Sequence, residues 1–190
     1  MPSAKIENTT PFTTYSMTVQ ARNAIGYGPE SPPIEAQFNY NRASGGTPQT
    51  GNTDPNYPGA DIVENYNGTT EKWAVHTFPS NGTLNVVSAI NPFRVLVAAG
   101  GGGGSHQAGL DPGVHGYSTG GGGGAGGLLE DDSLTLSSGP HSITVGGAGA
   151  ANTKGGNSVA FGMTAIGGGQ GGGNGASGGS GGGSGYHPNG

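Results

Sequence analysis

The sequence lacks cysteine and is poor in both charged and apolar residues. None of its 190 residues is a cysteine, only 31% are apolar and only 9% are charged. The absence of thiols excludes a disulfide scaffold and any thiolate metal site. The small apolar fraction excludes one large side-chain core, because buried apolar surface is the main favourable term in folding. Cohesion must therefore come partly from backbone hydrogen bonds or from partners.

Positive charge is also scarce. Six lysines and arginines stand against eleven aspartates and glutamates, which gives a formal net charge of −5. Without a basic stripe, we expect no nucleic-acid partner and no binding to an anionic membrane surface. No stretch approaches the roughly 18 apolar residues of a membrane-spanning helix, and the first residues lack the pattern of a signal peptide. We therefore predict no membrane insertion, and synthesis in the cytoplasm without a signal peptide.

Glycine, by contrast, is abundant. Most of the 44 glycines lie after residue 99, in runs that alternate with short apolar stretches such as 134–136 and 143–145. A flexible linker would contain glycine and serine throughout, so the apolar interruptions predict a folded region. An α-helix is disfavoured there, because each glycine costs about 1 kcal/mol relative to alanine.

Runs of glycine can form extended left-handed threefold helices of the polyproline II type, which rise about 3.1 Å per residue. Each glycine keeps its N–H, so such rods can be hydrogen-bonded sideways, and no Cβ atom holds them apart. The sequence thus predicts a mainly β fold with polyglycine II rods packed in a sandwich and no substantial α-helix. The predicted rod-packing glycines are Gly100, Gly101, Gly102, Gly103, Gly104, Gly120, Gly121, Gly122, Gly123, Gly124, Gly167, Gly168 and Gly169.

Composition and periodicity divide the chain into four regions. In residues 1–38, apolar and polar residues alternate over 14–22, which predicts a half-buried strand followed by a hairpin loop. Residues 39–60 are typical of a linker. Residues 61–99 predict a small β-region with strands over 61–66, 72–78, 83–88 and 93–99. Residues 100–190 form the glycine-rich domain, with a β-hairpin near 133–146 and a final strand around 159–166.

Motifs for chemistry are weak throughout. Glycine pairs match the dinucleotide-binding pattern only because glycine is so frequent, and no G-x-S-x-G elbow is present. The five histidines lack metal-ligand spacing, and His76 is expected in a strand facing solvent. The acidic residues 130–132 are interpreted as a solvated turn, because they lack the pattern of a calcium loop. We therefore expect no enzymatic activity, no metal and no cofactor.

The longest segment between glycine runs, residues 105–119, is the candidate for recognition, because loops between backbone-bonded rods are free to vary. Its His106, Asp111, His115 and Tyr117 are the candidate receptor contacts, for a saccharide or a protein of a cell surface. The alternative is a loop that only reverses the chain.

Two resemblances add to this interpretation. The succession Trp73-Ala-Val-His-Thr-Phe78, Val95 to Gly104, Gly120 to Gly127, Ser142 to Gly149 and Gly156 to Phe161 resembles the glycine-rich domain of bacteriophage minor tail and tail-fibre proteins, over about residues 61–185. Residues 9–38 resemble the last two strands of a fibronectin type III domain, including its tyrosine near the corner, at Tyr15.

The resemblance implies a non-enzymatic structural component of a phage tail, located in the virion tail and bound to other tail proteins. It also implies an alternative, a receptor-binding tip adhesin that recognises a host-surface saccharide or protein through loops between the glycine runs. A disordered glycine-rich spacer is the second alternative from composition. Tail fibres are often trimers, so a homotrimer stays open, although no heptad repeat supports it.

Overall fold

The computed structural model describes residues 14–18, 20–22, 24–37, 41–64, 72–90, 92–105, 120–172 and 175–185. Within them the chain forms thirteen short β-strands and no α-helix, which confirms the predicted mainly β fold. The strands are β1 (Thr14–Met17), β2 (Gln20–Arg22), β3 (Tyr27–Glu30), β4 (Ile34–Gln37), β5 (Arg42–Ser44), β6 (Ala60–Glu64), β7 (Lys72–His76), β8 (Gly82–Ser88), β9 (Phe93–Ala98), β10 (Leu128–Leu134), β11 (Gly139–Thr144), β12 (Ser158–Ala160) and β13 (Met163–Ala165).

Strands β1 to β4 form one interrupted hairpin. β2 pairs antiparallel with β3, and β1 pairs antiparallel with β4. The single strand predicted over 14–22 is wrong, because the ladder breaks between Met17 and Gln20, where Pro32 and Pro33 lie in the other arm. Proline has no N–H to donate to a ladder. The described hairpin does not show a fibronectin type III module, and that resemblance stays a prediction.

The largest sheet has five antiparallel strands in the order β13-β12-β11-β8-β5. In β8 the buried residues alternate with exposed ones, as expected for a sheet with one covered face. Leu84 and Val86 of β8 pack with Ala43 and Leu136 in one apolar cluster. The pair β9–β10 covers the other end of the sheet, where a second cluster consists of Val97, Ile143, Ala160 and Ala165.

Part of the predicted linker 39–60 belongs to this sheet. β5 pairs with β8, and its Ala43 is only 3% exposed. The linker prediction is therefore wrong for residues 42–44. Three residues are too few to show a period of two, so the strand is decided by its long-range partner β8 rather than by its own sequence.

The strands predicted over 61–66 and 72–78 correspond to β6 and β7, which pair antiparallel with Ile62 opposite Ala74. The buried side chain of Asp61, in β6, is hydrogen-bonded to the loop that follows β5. The carboxylate accepts hydrogen bonds from the N–H groups of Gln49 and Thr50, at 2.6 Å and 3.0 Å, and from the Thr50 hydroxyl at 2.7 Å. The Gln49 N–H contributes most to holding the pKa of the Asp61 carboxyl below its ordinary value, because it stabilises the charged form.

The hairpin predicted near 133–146 is wrong. β10 pairs with β9, whereas β11 pairs with β8 and β12, so the two predicted arms are not partners. The final strand predicted around 159–166 is in fact the hairpin β12–β13. Phe161 and Gly162 form its two-residue turn with φ of 51° and 80°, the positive values that such tight turns require.

Candidate functional site

Six glycine segments form a hydrogen-bonded bundle beyond the sheets. They comprise residues 100–105, 120–127, 146–152, 153–157, 166–172 and 175–185, called here the first to sixth glycine segments. The first segment is bonded to the second, third, fourth and fifth, and the fifth is bonded to the sixth as well. Backbone groups therefore supply the cohesion that the scarcity of apolar side chains requires.

The bonds between segments recur at every third residue. Residues 99–105 are bonded to the second segment from Ala99 to Gly127, from Gly102 to Gly124 and from Ser105 to Gly121, at 2.8–2.9 Å. Gly149 and Asn152 donate in the same way to Gly101 and Gly104. This is the repeat of a threefold extended helix. The polyglycine II conformation of each segment stays a prediction.

Many glycines of the bundle leave no room for a side chain. Gly121, Gly124, Gly167, Gly168, Gly169 and Gly171 are buried. A Cβ atom added to Gly102 would collide with the carbonyl oxygen of Gly169, and one added to Gly168 would collide with that of Gly124. Glycine at these positions allows backbones to approach one another directly.

Other glycines of the same runs face open space. A Cβ atom on Gly122 would meet no heavy atom within 4 Å, and one on Gly101 would lie 3.7 Å from the nearest, an ordinary contact. Gly104 and Gly120 are exposed, whereas Cβ atoms on Gly100, Gly103 and Gly123 would collide with carbonyl oxygens. The runs thus combine enclosed and open positions.

Two hairpins of the sheets continue without a break into the bundle. The pairing of Ala98 with Leu128 at the end of β9–β10 is followed by the bond from Ala99 to Gly127. The pair β11–β12 continues likewise into the third and fourth segments, which turn at Ala150 and Thr153. The third and fourth segments therefore turn at the end of the bundle that lies away from the sheets.

Residues of several glycine segments lie together at that end. Ser105, just before residues 106–119, is hydrogen-bonded to Gly121, the second residue after them, and Asn152 donates to Gly104. A Cβ atom on Gly172 would contact Ser105 and lie 3.6 Å from Oδ1 of Asn152. We call this group of neighbouring residues, Ser105, Gly121, Asn152 and Gly172, the far end of the bundle.

The four predicted receptor contacts, His106, Asp111, His115 and Tyr117, lie outside the described residues. The structure describes only the two points from which their segment leaves and returns. Both points lie at the far end. The role of these four side chains stays a prediction.

The sequence interpretation missed the polar side chains that accept hydrogen bonds from the N–H groups of glycine segments. Ser105 Oγ accepts from the N–H of Gly121 at 2.6 Å. Where the bundle meets the sheets, Asn157 Oδ1 accepts from Gly167 at 2.8 Å, and buried Ser158 Oγ accepts from Gly146 at 2.9 Å. The available signal was a serine or asparagine beside a glycine run.

Two expectations about side chains are wrong, one for His76 and one for the acidic residues 130–132. His76 does not face solvent: it is half-buried, and its Nδ1 donates to the carbonyl oxygen of Gly45 at 2.7 Å. The acidic residues 130–132 belong to β10 rather than to a turn, and Glu130 forms an exposed ion pair with Arg94 at 3.2 Å.

Within the described ranges, no group of three or more histidine or carboxylate side chains is placed to hold a metal ion. The same part of the chain contains no helix with the length and apolar character needed to cross a membrane.

A family model described as a glycine-rich domain matches residues 69–190, more than half of the chain. No curated protein and no solved structure matches the chain.

Proposed function

The chain belongs to the glycine-rich domain family, and from this membership we propose that it is a non-enzymatic structural component of a bacteriophage tail, a minor tail or tail-fibre protein. The observation that carries the proposal is the bundle of backbone-bonded glycine segments built onto a β-sheet base. Such a bundle suits a load-bearing part of a particle, because many backbone hydrogen bonds hold its segments together. The assignment to a phage rests on the resemblance of residues 61–185 to tail proteins.

A receptor-binding tip is the second candidate, and the position of the described residues on either side of 106–119 favours it. Ser105 and Gly121 are hydrogen-bonded to each other at the far end of the bundle, which fixes the two points between which the segment is attached. Rigid scaffolds that present variable loops are a common arrangement for recognition. A saccharide or a protein of the host surface is the proposed partner for this candidate. The backbone bonds within the bundle favour both folded candidates over a disordered spacer.

Labelling of virions tests the tail assignment. Gold-conjugated antibody raised against the purified chain is applied to virions from the source culture and viewed by electron microscopy. We expect label on the tail. Label confined to free protein in the lysate, with none on virions, would refute the assignment.

Replacement of residues 106–119 separates the two candidates. Residues 106–119 are exchanged for a glycine–serine segment of equal length, and virions carrying this change are compared with the parent for adsorption to host cells. Assembled tails with lost or altered adsorption indicate a receptor-binding tip. Assembled tails with unchanged adsorption and host range indicate a structural connector.

A further inference from the structure

The glycine bundle has two layers, and the first glycine segment lies in the middle of one of them. In the peptide that joins Gly101 to Gly102, the C=O accepts from Gly149 in the third segment, and the N–H donates to Gly124 in the second. The C=O and N–H of a trans peptide point in opposite directions, and the described chain contains no cis peptide bond. The second and third segments therefore lie on opposite sides of the first.

The fifth segment lies in the middle of the other layer. In the peptide that joins Gly168 to Gly169, the C=O accepts from Gly155 in the fourth segment, and the N–H donates to Ser180 in the sixth. The fourth and sixth segments therefore lie on opposite sides of the fifth. Further bonds join the second segment to the sixth and the third to the fourth, so the two layers are stacked in the same order across the bundle.

One side of the bundle presents N–H groups. The C=O groups of Gly121 and Gly124 point to the first segment, so the N–H groups of Gly122 and Ala125, in the same peptides, point away from it. In the part of the chain that the structure describes, neither N–H is hydrogen-bonded, and both residues are exposed. The N–H of exposed Gly181 points outward from the other layer in the same way and is also unbonded there. We call Gly122, Ala125 and Gly181 the donor side.

The opposite side of the bundle presents C=O groups. The N–H groups of Gly149 and Asn152 point to the first segment, so the C=O groups of Ala148 and Ala151 point away from it. Within the described ranges, these two C=O groups accept no hydrogen bond, and both residues are exposed. The C=O of exposed Lys154 points outward from the other layer, likewise without a bond among the described residues. We call Ala148, Ala151 and Lys154 the acceptor side.

The two sides match in height, because single peptides of the middle segments connect them. The peptide that joins Gly104 to Ser105 is bonded on one side to the peptide that carries the C=O of Ala151, and on the other side to the peptide that carries the N–H of Gly122. A row of aligned peptides thus crosses the layer and ends in an acceptor on one side and a donor on the other. Two further rows run through the peptides 101–102 and 168–169, from Ala148 to Ala125 and from Lys154 to Gly181.

We propose that a second copy of this chain, in the same orientation, docks with its acceptor side on the donor side. Each row of aligned peptides then continues into the neighbouring copy. Because unlike sides meet, the contact is head-to-tail, and it closes into a ring when the rotation between copies allows it. This proposal is independent of a role in a phage tail. The bonded pairs are Gly122 with Ala151, Ala125 with Ala148 and Gly181 with Lys154.

The spacing of the exposed groups favours a second copy over a β-strand of another protein. The N–H groups of Gly122 and Ala125 are three residues apart, which is about 9 Å at the rise of an extended threefold helix. A β-strand presents groups to one side at every second residue, about 7 Å apart, so it would satisfy only one of the two. The acceptor side of this chain has the three-residue spacing, from Ala148 to Ala151, and a matching group in the second layer.

Disulfide trapping tests the proposed contact, because the chain contains no cysteine of its own. Full-length Ala125→Cys and Ala148→Cys are mixed and exposed to oxidised glutathione. Docking brings these two positions within the range of Cα separations that a disulfide spans, about 4.4–6.8 Å. We expect cross-linking at least tenfold faster than for Ala148→Cys mixed with Val159→Cys, whose position is exposed on β12. Equal rates, or preferential cross-linking of Ala125→Cys with itself, would overturn the proposal.

A pair of proline variants tests the donor itself. Proline removes one N–H, and its φ suits an extended threefold segment. Ala125→Pro removes a docking donor, whereas Ala148→Pro keeps the docking C=O and removes an N–H that the contact does not use. By analytical ultracentrifugation of the full chain, we expect the parent to associate as its concentration rises, Ala125→Pro to associate at least tenfold more weakly and Ala148→Pro to associate like the parent. A parent that is monomeric throughout, or equal losses in both variants, would refute the proposal. If either variant does not fold, the disulfide trapping decides.

Discussion

Ser105 and Gly121 are joined by three hydrogen bonds that close the far end of the first two glycine segments. The N–H of Ser105 donates to the carbonyl oxygen of Gly121 at 2.9 Å, and the N–H of Gly121 donates to Oγ of Ser105 at 2.6 Å. The Ser105 hydroxyl also donates to the Gly121 carbonyl oxygen, at 3.4 Å. The serine hydroxyl supplies an acceptor to a buried N–H at the last rung of the ladder. The chain is thereby clamped where residues 106–119 leave the bundle.

Removal of the hydroxyl should loosen this clamp. In Ser105→Ala the buried N–H of Gly121 loses its acceptor, and an unsatisfied buried donor costs about 1–3 kcal/mol. We expect a lower melting temperature and faster hydrogen exchange at Gly121. Ser184→Ala is the control, because Ser184 is exposed near the end of the sixth segment. Equal exchange at Gly121 in both variants would contradict the clamp.

Enclosed and open glycines should differ sharply in their tolerance of a methyl group. A Cβ atom on Gly124 would collide with the carbonyl oxygen of Ser180, whereas one on Gly122 would meet nothing within 4 Å. We expect Gly124→Ala to lower the free energy of unfolding by about 2 kcal/mol or more, as overpacking does. Gly122→Ala should stay within about 0.5 kcal/mol of the parent. Denaturant titrations of the two variants measure the difference.

Similar losses for Gly122→Ala and Gly124→Ala would show that contact between segments does not set the cost of a methyl group in the bundle. An unchanged free energy of unfolding in both variants would instead indicate that the glycine segments do not pack in solution. Either result would contradict the arrangement of the six segments.

The Asp61 carboxylate and its hydrogen bonds to Gln49 and Thr50, called here the Asp61 clasp, predict that the stability of the fold depends on pH. The folded state lowers the pKa of this carboxyl from its ordinary value of 3.8, mainly through the N–H of Gln49. A lowered folded-state pKa contributes stability that is present above pH 3.8 and is lost as the pH falls through the folded-state value. We expect thermal melts of Asp61→Asn to depend less on pH in this acidic range than those of the parent.

Asp132→Asn is the matched control for the Asp61 clasp, because the Asp132 side chain is exposed. Its melting curves should follow those of the parent across the same range. If Asp61→Asn retains the full acid dependence of the parent, the clasp is not its source.

Phe161 has an unfavourable backbone conformation, but its ring packs in the apolar core. Its φ of 51° is uncommon for a bulky residue. The ring packs against both apolar clusters and lies 5.7 Å from the ring of His141. Asparagine tolerates such a φ but cannot replace the ring, so we expect Phe161→Asn to destabilise the fold by about 1–3 kcal/mol, the scale of burying an apolar side chain.

Val159→Asn provides the comparison for Phe161→Asn, because Val159 lies on the exposed side of the neighbouring strand. Melting temperatures of the two variants should rank Val159→Asn as the milder change. A stabilised Phe161→Asn would show that backbone strain outweighs the packing of the ring.

Much of the strand content follows from local patterns. Strands β7, β8 and β9 lie where alternating or continuous apolar residues predict them, because the period of two is a property of the extended chain itself. The absence of α-helix in the described residues follows likewise from the cost of glycine in a helix. Neither inference needs any knowledge of distant residues.

The choice of partners does not follow from local patterns. β10 and β11 are adjacent in sequence and separated by few residues, yet they do not pair. β10 pairs with β9 instead, and the ladder of these two strands continues in the hydrogen bonds between the first and second glycine segments. β5 belongs to the sheet through its pairing with β8, far along the chain. Pairing depends on which edges are available after the whole chain has packed.

The run from Gly100 to Gly104 shows how far the sequence alone predicts the structure. Its abundance of glycine determined that backbones would have to hold this region together and that no long helix would form, since both follow from missing side chains. All five residues are glycine, so the sequence cannot show how their surroundings differ. Gly102 is enclosed against Gly169, whereas Gly104 is exposed. Only the tertiary structure decided that difference, because the room beside a glycine depends on the neighbouring segments.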